Sequence, residues 1–185
     1  MKILLHICCA PCAIYPIEYL RSSGFKVTGY FFNHNIHPYQ EYRRRLETVR
    51  EYADSAGLEV IYRDEYLMED FLKAVADKPD ERCIYCYTSR LETVAEAAAS
   101  HGFTSYSSTL LYSRYQKHDL IRQLGEQIGY KHNVKFHYED FRRGWQKGIE
   151  LSKKLDLYRQ QYCGCIYSER ERYQPRSNLL GGRSR

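Results

Sequence analysis

No apolar run in this chain approaches the ~20 residues that a membrane-spanning helix requires. A membrane role through such a helix is therefore not expected. The first residues do not make a secretory leader either. Lys2 is their only early charge, the apolar stretch is short, and it carries His6 and cysteines. A cytoplasmic location is the expectation. There is no low-complexity tract and no internal repeat, so neither a flexible array nor a solenoid is indicated. Glycine is missing where a phosphate-binding α/β protein would concentrate it. The turn after the first apolar segment reads Cys8-Cys9-Ala10-Pro11-Cys12, with no glycine and a proline that lacks an N–H. Nucleotide binding at that turn is disfavoured, because the cradle would need free backbone N–H groups.

What occupies the turn instead is sulfur. The chain has 185 residues, enough for one domain with a real core, and seven cysteines. In a chain expected to be cytosolic, seven cysteines are not a disulfide framework. They fall in three groups: Cys8-Cys9-x-x-Cys12, Cys83-x-x-Cys86 and Cys163-Gly-Cys165. Scattered core cysteines would not group this way, so metal or redox chemistry is indicated. The formal net charge is +5 and there are 19 tyrosines. Cations interleaved with aromatics suit RNA, whose bases stack on rings and whose phosphates meet cations. The same composition also describes a solvated basic surface over a Tyr-rich core. From composition alone, that plainer description is preferred.

Residues 2–8 predict a buried strand, and Ile14, Ile17 and Leu20 recur at helical spacing behind it, with Gly24 closing that helix. Lys26–Asn33 predicts a second strand. The next helix sets Tyr42, Leu46, Val49, Ala53 and Ala56 on its apolar face. Arg43, Arg44, Arg45 and Arg50 are assigned to its charged outer face. Strands are predicted at 59–63, 103–111 and 134–137. Helices are predicted at 67–76, from Cys83 to Gly102, from His118 to a stop at Gly129, and from Trp145 to Tyr158. Strand and helix alternate about every thirty residues, which is the pattern of right-handed βαβ units. The fold class is α/β: a doubly wound, mostly parallel sheet with a C-terminal helical extension. Residues 1–140 would form the α/β part with the CC and CxxC groups. Residues 141–185 would form a helical segment with the CGC motif and a basic tail, the whole being one compact domain.

Each loop of interest follows a strand or opens a helix, so all can meet at one sheet edge. There, sulfur beside a helix N-terminus is favoured as thiolate. Four thiolates at that edge would suit zinc or an iron–sulfur cluster. Adjacent residues on a strand point to opposite faces, so Cys8 and Cys9 could reach one small ion only at a turn. The ligand set could be Cys8, Cys9, Cys83 and Cys86, or one that uses Cys12; spacing leaves both open. Cys163 and Cys165, one residue apart, can close only a very small, strained and easily reduced disulfide ring, which suits a redox pair or a pair of extra metal ligands.

Other residues have plainer roles as well as chemical ones. His6 fits a satisfied core histidine. His34 and His37 fit solvated loop positions better than metal ligands. Asp64 and Glu65 end the third strand and could position a substrate. Ser107, Ser108 and Thr109 could do the same or cap the next turn. Tyr112, Ser113, Arg114, Tyr115, Gln116 and Lys117 form a cationic loop suited to a nucleobase. Arg170, Arg172, Arg176, Arg183 and Arg185 make the end of the chain basic.

HICCAPC, ERCIYCY and QYCGCIYSERER, in that order, resemble the signatures of the non-cobalamin epoxyqueuosine reductase family, QueH. The resemblance covers about residues 2–173. It is also similar, more distantly, to the HUP and ATP-pyrophosphatase-like folds, with the nucleotide loop replaced by cysteines. The resemblance implies an oxidoreductase of tRNA modification that removes the epoxide oxygen of epoxyqueuosine to give queuosine. It implies a [4Fe-4S] cluster on Cys8, Cys9, Cys83 and Cys86, and a nearby mononuclear iron with Cys12 as a possible ligand. It implies a redox-active pair at Cys163 and Cys165, the anticodon region of tRNA as partner, and an external electron donor. Two other readings compete. A tRNA sulfur-transfer enzyme would need ATP, and the glycine-poor turn weighs against it. A zinc-stabilised RNA-binding module would be colourless.

Overall fold

β1 (Lys2–His6) is the centre of the molecule, because its residues have nowhere else to go. In the computed structural model, which describes residues 1–174, Ile3, Leu4, Leu5 and His6 are all fully buried. Burial of both faces requires helices on both sides, and each buried aliphatic side chain contributes about 1.5–3 kcal/mol. β1 pairs in parallel with β2 (Lys26–Phe31) on one side and β4 (Ser105–Ser108) on the other. β3 (Val60–Tyr62) and β5 (Lys135–Phe136) extend the sheet to the order β3-β2-β1-β4-β5, and every pairing is parallel. This is the doubly wound α/β architecture.

Seven α-helices are found among the described residues. α1 (Ala10–Ser22) follows β1, and α2 (Tyr39–Ser55) follows β2. α3 (Met68–Val75) and α4 (Arg82–Ser100) carry the chain across β1 to β4. α5 (His118–Lys131) leads to β5, and α6 (Trp145–Lys154) and α7 (Ile166–Tyr173) complete the chain. α1 packs against α2 and α6, whereas α4 packs against α5 and the central strands. Gly24 ends α1 at φ +83, a left-handed geometry that an L side chain would resist. No described helix is long and apolar enough to cross a membrane.

Several boundaries differ from the sequence pattern, each for a physical reason. α5 does not stop at Gly129 but runs to Lys131, and Asn133 at φ 54 takes the left-handed turn. Gly129 has another role. A Cβ there would stand 2.6 Å from the carbonyl oxygen of Val134, so its bare backbone lets the β5 chain lie close. The fourth strand covers only Ser105–Ser108, because Thr109–Tyr112 winds into a 3-10 turn. The helix from Trp145 ends at Lys154, not Tyr158, with Asp156 left-handed at φ 50. α7 has no counterpart in the sequence reading. Arg176, Arg183 and Arg185 of the basic tail lie outside the described residues.

β1 is the strand at which the winding reverses. The chain leaves it toward β2 on one side and returns to β4 on the other. A crevice opens between the ends of β1 and β4, where the loops diverge. The first cysteine group and Thr109 lie there.

Candidate active site at the β1–β4 crevice

β1 ends at His6, so Cys8 and Cys9 lie past the last ladder residue, in the turn. Cys9 caps α1 with extended backbone, and Pro11 sits in the first turn, where its missing N–H costs nothing. Two sulfurs adjacent in sequence therefore escape the alternation of a strand, and Cys8 Sγ lies 3.8 Å from Cys9 Sγ. Cys12, one turn into α1, joins them. The three sulfurs all lie within 4.8 Å of one another and could hold a metal ion. A wholly sulfur donor set suits a soft or borderline metal rather than magnesium or calcium.

Neighbouring groups tie this trio down. Thr109 Oγ1 accepts from the Cys8 backbone N–H at 3.2 Å and donates to Cys8 Sγ at 3.3 Å. Gln160, from the segment after α6, donates to Cys9 Sγ at 2.8 Å and to Cys12 Sγ at 3.2 Å. Hydrogen bonds from Cys12 and then Cys9 hold the Cys8 thiol well below its ordinary pKa. Burial raises Cys9, and the bond given to Cys8 raises Cys12. These hydrogen bonds favour the charged form on Cys8 over the other two sulfurs.

α4 brings Cys83 and Cys86 to the same crevice, outside the trio. Cys86 is buried, and desolvation pushes its thiol up to about 12. Arg90 lies one turn further along and is only 1% exposed. It donates to Cys86 Sγ at 3.0 Å, to the Cys86 carbonyl at 3.1 Å and to Asn33 Oδ1 at 3.4 Å. No described carboxylate pairs with it, so its side-chain partners are the Cys86 sulfur and the Asn33 amide oxygen.

The third group arrives from the far end of the chain. Cys163 is exposed and Cys165 is buried. Gly164 between them has φ +149, and a Cβ there would press on Asn35 and Ile36 at 3.0 and 3.2 Å. Arg45 seats this loop. It donates to the carbonyl oxygens of Cys163 at 2.9 Å and Tyr162 at 3.0 Å, and to Glu41 at 2.7 Å. The helical pattern sets Arg45 on the charged outer face of α2, yet it is 1% exposed. The CGC segment covers what would otherwise be an open helix face.

Cys8, Cys12, Cys83, Cys86, Cys163 and Cys165 line one cavity of about 630 Å³. Cys9 is buried behind it.

Other expectations fare differently. His6 is the satisfied core histidine foreseen, bonded to Ser108 Oγ at 2.8 Å and the Phe32 carbonyl at 3.1 Å. Ser108 also caps the 3-10 turn. His34 and His37 are not solvated: both are buried, because α3 and α4 lay Phe71 and Tyr85 against their rings. Both His34 nitrogens and Asn35 Oδ1 lack partners. Asp64 and Glu65 do not line the cavity. They bind Tyr42, Arg43 and Arg50, and Arg63, respectively. Gln160 and Thr109 act on the sulfurs through tertiary contacts that no local pattern announces.

The family model described as epoxyqueuosine reductase QueH matches residues 3–171. The chain belongs to the epoxyqueuosine reductase QueH family. A QueH protein of Dehalococcoides mccartyi is 42% identical over 172 residues, covering 93% of this chain and 94% of its own. A QueH protein of Thermotoga maritima is 38% identical, covering 96% and 95%. Among solved structures, a predicted subunit of a tRNA methyltransferase from Methanocaldococcus jannaschii aligns with TM-score 0.56 at 13% identity. It covers 83% of this chain and 76% of its own, a likeness of fold. The QueH resemblance seen in the three cysteine signatures thus extends over nearly the whole chain, and the family is one of oxidoreductases.

Proposed function

We propose that this chain carries out the two-electron reductive deoxygenation of epoxyqueuosine in tRNA, giving queuosine. The observation that supports it most is that six of its seven cysteines line one cavity beside a switch-point crevice. Both C–O bonds of the epoxide break, a carbon–carbon double bond forms, and oxygen leaves as water. That consumes two electrons and two protons. Cys163 and Cys165 passing from two thiols to a disulfide release two electrons and two protons, so the step balances. An external electron donor resets the pair, and the exposed Cys163 is the sulfur it can reach.

Residues 1–140 would carry the cofactor, and the segment from 141 onward would bring the dithiol to it. Cys8, Cys9, Cys83 and Cys86 are the proposed ligands of a [4Fe-4S] cluster, with Cys12 available to a second, mononuclear iron. The donors fit such a group: they are all sulfur, and a buried guanidinium without a carboxylate stands beside Cys86. When bound, the iron centre supplies one-electron relay and Lewis acidity toward oxygen. Thr109, Gln160 and Arg90 orient the sulfurs, and Arg45 holds the dithiol loop at the cavity wall. A tRNA substrate puts this work in the cytoplasm.

Protein purified without oxygen should be brown. With a chemical reductant it should convert epoxyqueuosine-bearing tRNA to a nucleoside lighter by one oxygen. Iron- and sulfide-replete protein that leaves the nucleoside unchanged would overturn the proposal. The Cys163→Ser/Cys165→Ser protein should lose turnover driven by a thiol donor; full turnover would remove the dithiol from the scheme.

A further inference from the structure

The cavity has a second chemistry along its rim that the sulfur reaction does not use. Tyr112, Tyr115 and Trp145 form part of its wall. Tyr112 and Trp145 are stacked, with ring centroids 5.2 Å apart and planes 30° apart. Tyr115 meets Trp145 edge-on at 5.9 Å and is 84% exposed. An exposed tyrosine packed on a tryptophan leaves its own outer face in water. The charge around these rings has one sign. Among the described residues, Arg82, Arg90, Lys117, Arg159 and Arg172 line the cavity against Glu171 alone, and Glu171 is already paired with Arg82. Arg114 lies over the Trp145 ring, 5.6 Å from its centroid.

The platform is held firmly. Tyr112 is 3% exposed and donates to the Trp145 carbonyl at 3.0 Å. The loop behind Tyr115 is tied to the site by Gln116, which accepts from Tyr87 Oη at 2.7 Å and donates to Cys163 Sγ at 3.2 Å. Rigid rings beside a cationic rim are what an unstacked base in single-stranded RNA requires. Stacking on a ring contributes about 1–3 kcal/mol per base, and cations meet the phosphates. A nucleotide that inserts its modified base into a cavity must leave its own stack, and the lost stacking has to be replaced.

We infer that the outer face of Tyr115, backed edge-on by Trp145, is a nucleobase platform. It stacks an unpaired base of the RNA next to the reacting nucleotide, while Lys117 and Arg114 meet the adjoining phosphates. This rests on the reductase reading for the identity of the RNA, but its test does not depend on turnover.

Trp145 is the chain's single tryptophan. Its fluorescence therefore reports this face alone. The probe is an unmodified anticodon stem-loop RNA, which has no epoxide to reduce. It should quench Trp145 saturably, and a fully paired RNA without the loop should not. Tyr115→Ala should weaken binding about tenfold or more, and Tyr115→Phe should restore it. Lys117→Ala should lower the slope of log affinity against log salt by about 0.7. In turnover, Tyr115→Ala should raise KM for tRNA and leave kcat unchanged. If labelled stem-loop binds by anisotropy without quenching, or if Tyr115→Ala binds as the parent does, the platform is wrong even where reduction proceeds. If quenching persists but no oxygen is removed, the reductase reading fails and the RNA platform stands.

Discussion

Arg45 Nη1 donates to the carbonyl oxygen of Cys163 at 2.9 Å, joining the second helix to a loop 118 residues away. The same guanidinium holds Tyr162 and Glu41, and Glu41 also accepts from Tyr158. This buried ion pair thus anchors the CGC segment at the cavity, beside the His37 N–H bond to the Gly164 carbonyl at 2.9 Å. Arg45→Met leaves Glu41 charged and unpaired in the interior, and should cost about 3–5 kcal/mol in urea denaturation. Arg45→Met with Glu41→Leu should recover much of that stability but not the seating of the loop. Cys163 should then react faster with alkylating agents than in the parent.

Arg90 poses the opposite case. It is buried, no carboxylate among the described residues pairs with it, and the Cys86 sulfur it meets is held as the neutral thiol by burial. In metal-free protein, Arg90→Met removes an uncompensated buried charge, so urea stability should hold or rise. In protein loaded anaerobically with iron and sulfide, the same change should lower iron retained per chain, because the anionic centre loses its counter-cation. A drop in metal-free stability together with unchanged iron content would refute that role.

Gly148 lets α6 approach the aromatic wall. A Cβ there would stand 2.1 Å from Tyr112 Oη, and Tyr112 is too buried to swing away. Gly148→Ala should destabilise the fold by about 1–3 kcal/mol and shift the emission of Trp145, whose carbonyl accepts from that hydroxyl.

Burial, and after it the charge of Arg90, lowers the pKa of His6 to about 4 and of His34 to about 3. In the unfolded chain both take a proton near pH 6.5. Folding stability is therefore full above that value and falls as the pH drops toward 4. Within that window the loss is about 1.4 kcal/mol per pH unit for each histidine. Urea midpoints from pH 7 to 5 check this, and His34→Phe should flatten the slope by its share.

The α/β alternation, the parallel sheet, the cysteine groups and the QueH signatures could all be read from the sequence alone. Each is a local property. Period-two and period-3.6 patterns record which way a side chain points within its own element, and a cysteine motif is a spacing along the chain. Only the tertiary structure decided that Arg45 is buried, that His34 and His37 are enclosed, that Gly129 sits inside α5, and that Gln160 bonds to Cys9 and Cys12. In every one of these cases the deciding neighbour comes from another element. A periodic pattern marks the face that is apolar, but it carries no record of what later covers a polar one. Here α3 and α4 closed over the histidines, and the CGC loop closed over the arginine.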